Sequence, residues 1–139
     1  MHPLYFFIAA RLIKLEVEMV VIADHNTISG YKKLARAVED YWKFKPGKVY
    51  PEILCGIEIS CADKLHIVGI FDYNEALGIK INKWIEEYVL SVIDGTYLSG
   101  GQVLKKIGEW NGISIFHYVY NGCLVINLTS TLTSTVGAS

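Results

Sequence analysis

Met19-Val20-Val21-Ile22-Ala23 is an uninterrupted apolar run that stops abruptly at Asp24-His25-Asn26-Thr27. A run this short, without polar alternation, fits a strand covered on both faces, and such strands belong to parallel sheets flanked by helices. The flanking segments agree. Leu4, Phe7, Ile8, Leu12 and Leu15 recur at helical spacing before it, and Leu34, Ala35, Val38 and Trp42 recur after it. Helix, strand, polar loop, helix is the rhythm of an α/β fold.

Beyond the turn signal Lys45-Pro46-Gly47-Lys48, the run from Ile53 to Ser60 reads as a second strand and Leu65 to Phe71 as a third. So short a connection cannot hold a crossover helix, so these two strands should pair antiparallel. Helices follow at about Ile79 to Ile93 and Gln102 to Trp110, the second opened by a capping box of Ser99 and Gln102. Ile113 to Val119 is a last apolar strand. The chain has 139 residues, whereas a complete α/β barrel typically needs about 250.

Hydrophobic residues make up 52% of the chain and charged residues 19%, which excludes disorder as a description of the whole. Thirteen basic against fourteen acidic side chains, with no polybasic run, argue against nucleic acid as a partner other than as a substrate. No apolar run approaches the roughly 20 residues of a membrane span, and no Lys or Arg precedes the first one as a secretory signal requires. Three cysteines without a Cys-x-x-Cys pair suit reduced thiols in a cytoplasmic protein. The last charged residue is Glu109, and the end of the chain is rich in Ser and Thr. The natural reading is a domain over residues 1–119, then an uncharged tail over 120–139 that is either unstructured or foreign to the domain, with a terminal strand accounting for part of it.

Ligands of parallel α/β sheets sit beyond the carboxyl ends of the strands. Asp24 and His25 lie at that end of the first strand, Glu58 near the end of the second, and His117 near the end of the last. His66 opens the third strand and is brought back beside Glu58 by the turn. A three-residue turn would set Glu58 directly opposite His66; a four-residue turn would send them to opposite faces. Three histidines and two carboxylates on one rim suit Zn²⁺, Mn²⁺ or Fe²⁺. The plainer reading is that Asp24 caps the following helix and the histidines are ordinary strand-end residues.

Three blocks carry a resemblance. Val21-Ile22-Ala23-Asp24-His25-Asn26-Thr27-Ile28-Ser29-Gly30 resembles the second motif of the PHP (polymerase and histidinol phosphatase) domain family. Gly56-Ile57-Glu58-Ile59-Ser60 resembles its Gly-x-Glu motif, and His66-Ile67-Val68-Gly69 its next histidine strand. A weaker likeness runs through Asn111 to His117. The resemblance implies a distorted (β/α)7 barrel, here partial, with the first strand and the C-terminal part missing. The family's opening His-x-His and closing Asp-x-His have no counterpart in this sequence.

The resemblance further implies a phosphoesterase that hydrolyses a small phosphorylated metabolite or nucleotide with metal-activated water. The ions would be Zn, Mn, Fe or Mg, up to three in the family and fewer here. His25, Glu58, His66 and His117 would be ligands, with Glu58 bridging and Asp24 orienting His25; Asp24, His25 and Glu58 would form the catalytic set. The alternative is a non-catalytic domain of the same kind that keeps part of the site. A barrel without its first strand would leave the edge at Met19 to Ala23 unpaired, which predicts a homo-oligomer through that edge.

Overall fold

In the computed structural model, residues 3–90, 95–120 and 123–130 are described, with backbone alone for 90, 117–120 and 123–130. The chain runs α1 (Pro3–Lys14), β1 (Met19–His25), α2 (Ser29–Phe44), β2 (Glu52–Ser60), β3 (His66–Phe71), α3 (Glu75–Tyr88), β4 (Val89–Leu90), β5 (Gly95–Thr96), α4 (Gly100–Glu109), β6 (Ile113–Tyr120) and β7 (Cys123–Ser130). Five strands form one mixed sheet in the order β1-β2-β3-β6-β7, and β4 pairs with β5 in a small hairpin.

This architecture corrects the barrel expectation. The sheet is open, with β1 and β7 at its edges, and it does not close into a (β/α)7 barrel, whole or partial. Among the described strands only β1 and β2 pair parallel, around the α2 crossover. The β2–β3, β3–β6 and β6–β7 pairs are all antiparallel. The cause is connection length. A dozen or more residues are needed to return a strand parallel to its neighbour, and Cys61 to Leu65 cannot provide them between β2 and β3. The hydroxyl-rich ending is also partly sheet, because β7 pairs with β6 as far as Ser130. Residues 131–139 of the expected tail lie outside the described residues.

Among the described residues, helical packing falls on one face of the sheet. Val20 and Ile22 of β1 and Ile53 of β2 pack with Ala9, Leu34, Ala37 and Val38 of α1 and α2. Cys55, Ile57, Ile59, Ile67 and Phe71 pack with Ile81 and Trp84 of α3 and Val103 and Ile107 of α4. Strand alternation sends the intervening side chains the other way. Along β3, Ile67, Gly69 and Phe71 are buried while His66, Val68 and Ile70 are only half-buried. Burying roughly 2 kcal/mol per large aliphatic side chain, the covered face supplies most of the drive to fold.

Local sequence explains the element ends. Asn74 caps α3, its side chain accepting from the Leu77 amide at 2.9 Å, so the helix opens at Glu75, before the expected Ile79. It stops at Tyr88, because Val89 turns into the β4–β5 hairpin, an element the helical spacing concealed. The Ser99–Gln102 capping box forms as expected. Among the described residues, no helix is long and apolar enough to cross a membrane.

Candidate functional site

Asn26 turns the chain out of β1 with φ +60°, a left-handed conformation that Asn tolerates better than most residues. Its backbone N–H donates to the Glu58 carbonyl at 2.8 Å, extending the β1–β2 ladder by one rung. Register then sets His25 beside Glu58. Across the next pair Ser60 stands opposite His66, and Glu58 opposite Val68. The β2–β3 connection has five residues, so neither turn considered from sequence occurs. Glu58 and His66 are diagonal neighbours on one face, two positions apart.

That face is the one the helices leave open. His25, Glu58, Ser60 and His66 gather at its rim, where β1 and β2 end and β3 begins. The Ser60 hydroxyl lies between the two imidazoles, 2.9 Å from Nε2 of His25 and 3.2 Å from Nδ1 of His66. The same Nδ1 is 3.4 Å from the Glu58 carboxylate, both side chains being about a third exposed or more. The backbone register continues the row to His117, whose Cα pairs with that of His66. The side chain of His117 lies outside the described residues.

One protonation pattern satisfies all these contacts. Ionised Glu58 only accepts, so the proton belongs on Nδ1 of His66. The single Ser60 O–H then donates to Nε2 of His25, whose own proton moves to Nδ1. There it faces the Asn26 side-chain amide at 3.4 Å. With the amide nitrogen on that side, Asn26 Oδ1 is buried without a partner. Turning the amide over lets Nδ1–H of His25 donate to Oδ1 and places the amide nitrogen in the buried position instead, an assignment made from the network. Glu58, His66, Ser60, His25 and Asn26 thereby form one hydrogen-bonded chain across three strands.

Asp24 is not part of it. Alternation carries its carboxylate to the helix-covered face, where a Cβ placed on Gly30 would come within 3 Å of it. Among the described residues it makes no hydrogen bond to His25; it sits against the first turn of α2 without capping it, since Ile28 holds the N-cap position and no side-chain cap bond forms there. A carboxylate there is favoured by the positive end of the helix.

The donor chemistry of the rim suits a divalent cation, and 3.4 Å between Glu58 and Nδ1 of His66 is close to the spacing of neighbouring donors on a tetrahedral ion with bonds of about 2.0–2.1 Å; an ion bound there would replace the Nδ1 proton. The fit is partial. Among the described residues, no group of three His, Cys, Asp or Glu side chains is arranged to hold an ion. Ser60 and Asn26 were not singled out from sequence. Ser60 was legible, since it follows Glu58 by two positions on one strand and must share its face. Asn26 was not, because its role depends on the side-chain rotation of His25.

No family model matches the chain, and no solved structure matches it significantly. An uncharacterized protein of Streptococcus pneumoniae serotype 4 (strain ATCC BAA-334 / TIGR4) is similar, 40% identical over 116 residues. The match takes in 83% of this chain and 43% of that protein, so the chain spans less than half the length of this relative.

Proposed function

We propose that this chain carries the site of a metal-dependent phosphoesterase resembling the PHP family, acting on a small phosphorylated metabolite or a nucleotide. The observation that supports it is the meeting of His25 and His66 around the Ser60 hydroxyl on an open face, with Glu58 against His66. Glu58 and His66 would hold a divalent ion, with His25 and His117 as further ligands. A bound ion would supply positive charge against phosphoryl oxygens and acidify water beside it.

The chain's own residues have separable tasks in this reading. Glu58 keeps negative charge at the rim and fixes the rotation of His66. Before an ion binds, Ser60 holds the imidazoles of His25 and His66 at a set separation, and Asn26 orients His25 through Nδ1. The open face admits a substrate from solvent. Reduced, buried Cys55 and Cys61 are consistent with a cytoplasmic setting. The alternative, a non-catalytic domain with a remnant site, is favoured by the lack of a three-ligand group among the described residues.

The test is metal content together with Mn²⁺-dependent hydrolysis of p-nitrophenyl phosphate, in the wild type and in His25→Ala. Bound metal and turnover that His25→Ala abolishes are expected. A protein free of metal after Zn²⁺ or Mn²⁺ loading, with no His25-dependent turnover, would sink the phosphoesterase reading. Metal binding without turnover would select the non-catalytic alternative.

A further inference from the structure

At the opposite end of the β1–β2 pair lies a groove of about 790 Å³, between the last turns of α1 and α2 and the connection to β2. A strand of seven residues spans about 23 Å, so the groove is well separated from the histidine rim. Arg11, Lys14, Lys45 and Lys48 line it, against one carboxylate, Glu16. This is a strongly positive concavity in a chain whose net charge is −1.

Helix dipoles account for only part of this. Arg11 and Lys14 lie in the last turn of α1, where cations are favoured. Lys45 and Lys48 lie beyond the end of α2, in a turn held by the Tyr50 hydroxyl donating to the Lys45 carbonyl. Among the described residues none of the four cations has an ion pair, whereas Lys32, Lys43 and Lys106 all do. The walls are apolar and aromatic. Phe7 is 69% exposed at the groove, and Tyr41, Ile13 and Val49 line it.

A volume of this size suits a ligand of nucleotide dimensions. Cations offer hydrogen bonds to phosphate oxygens, with Arg11 able to bind two at once. An exposed phenyl ring offers a stacking surface to a base. From the groove's charge, volume and exposed ring we infer a second binding site, for a nucleoside phosphate, either free or at the end of a nucleic-acid strand. The site is independent of the phosphoesterase reading.

Fluorescence titration of the full chain with the N-methylanthraniloyl derivative of ADP tests it. Saturable binding is expected, displaced by ADP, less well by pyrophosphate, and not by adenosine. Lys45→Glu/Lys48→Glu and, separately, Arg11→Gln should each weaken it at least tenfold. Phe7→Ala should weaken ADP about fivefold while leaving pyrophosphate competition unchanged. His25→Ala should have no effect. A ten-residue oligothymidylate that displaces the probe with a steep salt dependence identifies the strand as the source; displacement by ADP alone identifies the free nucleotide. Absence of saturable binding, indifference to the Lys45/Lys48 and Arg11 substitutions, or loss in His25→Ala would overturn the inference.

Discussion

Nε2 of His25 and the hydroxyl of Ser60 lie 2.9 Å apart, so side chains as well as the backbone ladder tie the end of β1 to the end of β2. Ser60 also reaches His66, and one hydroxyl therefore orients two of the proposed ligands. Ser60→Ala should lower Zn²⁺ affinity by roughly ten- to a hundredfold, the usual effect of losing a group that orients a ligand. Ser60→Thr keeps the hydroxyl and should restore most of it. Titration calorimetry measures both; equal affinities in wild type and Ser60→Ala would remove Ser60 from the site.

Gly95 begins β5 directly against the end of β2. A Cβ there would collide with the Ser60 carbonyl oxygen and stand 3.0 Å from the Ser60 Cβ. Backbone cannot give way as a flexible side-chain end can, so Gly95→Ala should cost about 1–3 kcal/mol in urea unfolding. Gly101 is the control. Its nearest neighbour is 3.9 Å away in the first turn of α4, and Gly101→Ala should be neutral or slightly stabilising.

Burial pushes the Cys55 thiol up to about 11 and the Cys61 thiol up to about 12, with the Asp63 carboxylate adding to the effect on Cys61. In the unfolded chain both thiols ionise at about 8.5. Between that value and the folded values the unfolded state binds fewer protons than the native state. Stability is therefore fully present below about pH 8.5 and falls as pH rises toward 11 and 12. Urea midpoints from pH 7 to pH 10.5 should decline, and less steeply in Cys55→Ala/Cys61→Ala. With Cys123 replaced by Ala, a thiol reagent at pH 7.5 should label the native protein only at the rate of unfolding.

The uncovered face carries Val21, Leu54, Val68, Ile70 and Ile115 half-buried, with Met19 57% and Ile113 40% exposed at its border. β1 is an edge strand beside it. A contiguous apolar face with an open edge favours association. Sedimentation velocity should show concentration-dependent self-association, which Val21→Lys or Ile70→Lys relieves. A monomer at all concentrations would count against the oligomer.

The order of elements was legible because it is written in local periods. The apolar run at Met19, the Ser99–Gln102 capping box and the antiparallel β2–β3 pair all depend on residues close in sequence. Closure of the sheet was not legible, because it depends on whether strands far apart in the chain meet, and β1 and β7 do not. The apolar run at Met19 also read as a strand covered on both faces, whereas helices cover only one. A single strand carries the same hydrophobicity whether its second face meets a helix, another chain or solvent.

For the site, the sequence by itself determined which residue types stand at the strand ends: His25 after the first apolar run, Glu58 and Ser60 with one residue between them, and His66 at the start of the next. Spacing of two along a strand fixes a shared face, so the pairing of Glu58 with Ser60 was inevitable once β2 formed. The tertiary structure decided everything that crosses strands. A five-residue turn set Ser60 opposite His66, the parallel register set His25 beside Glu58, and alternation took Asp24 away to α2. Register is chosen by loop length and by burial of the opposite face, both properties of the assembled sheet, and a shift of one residue would have dispersed the cluster.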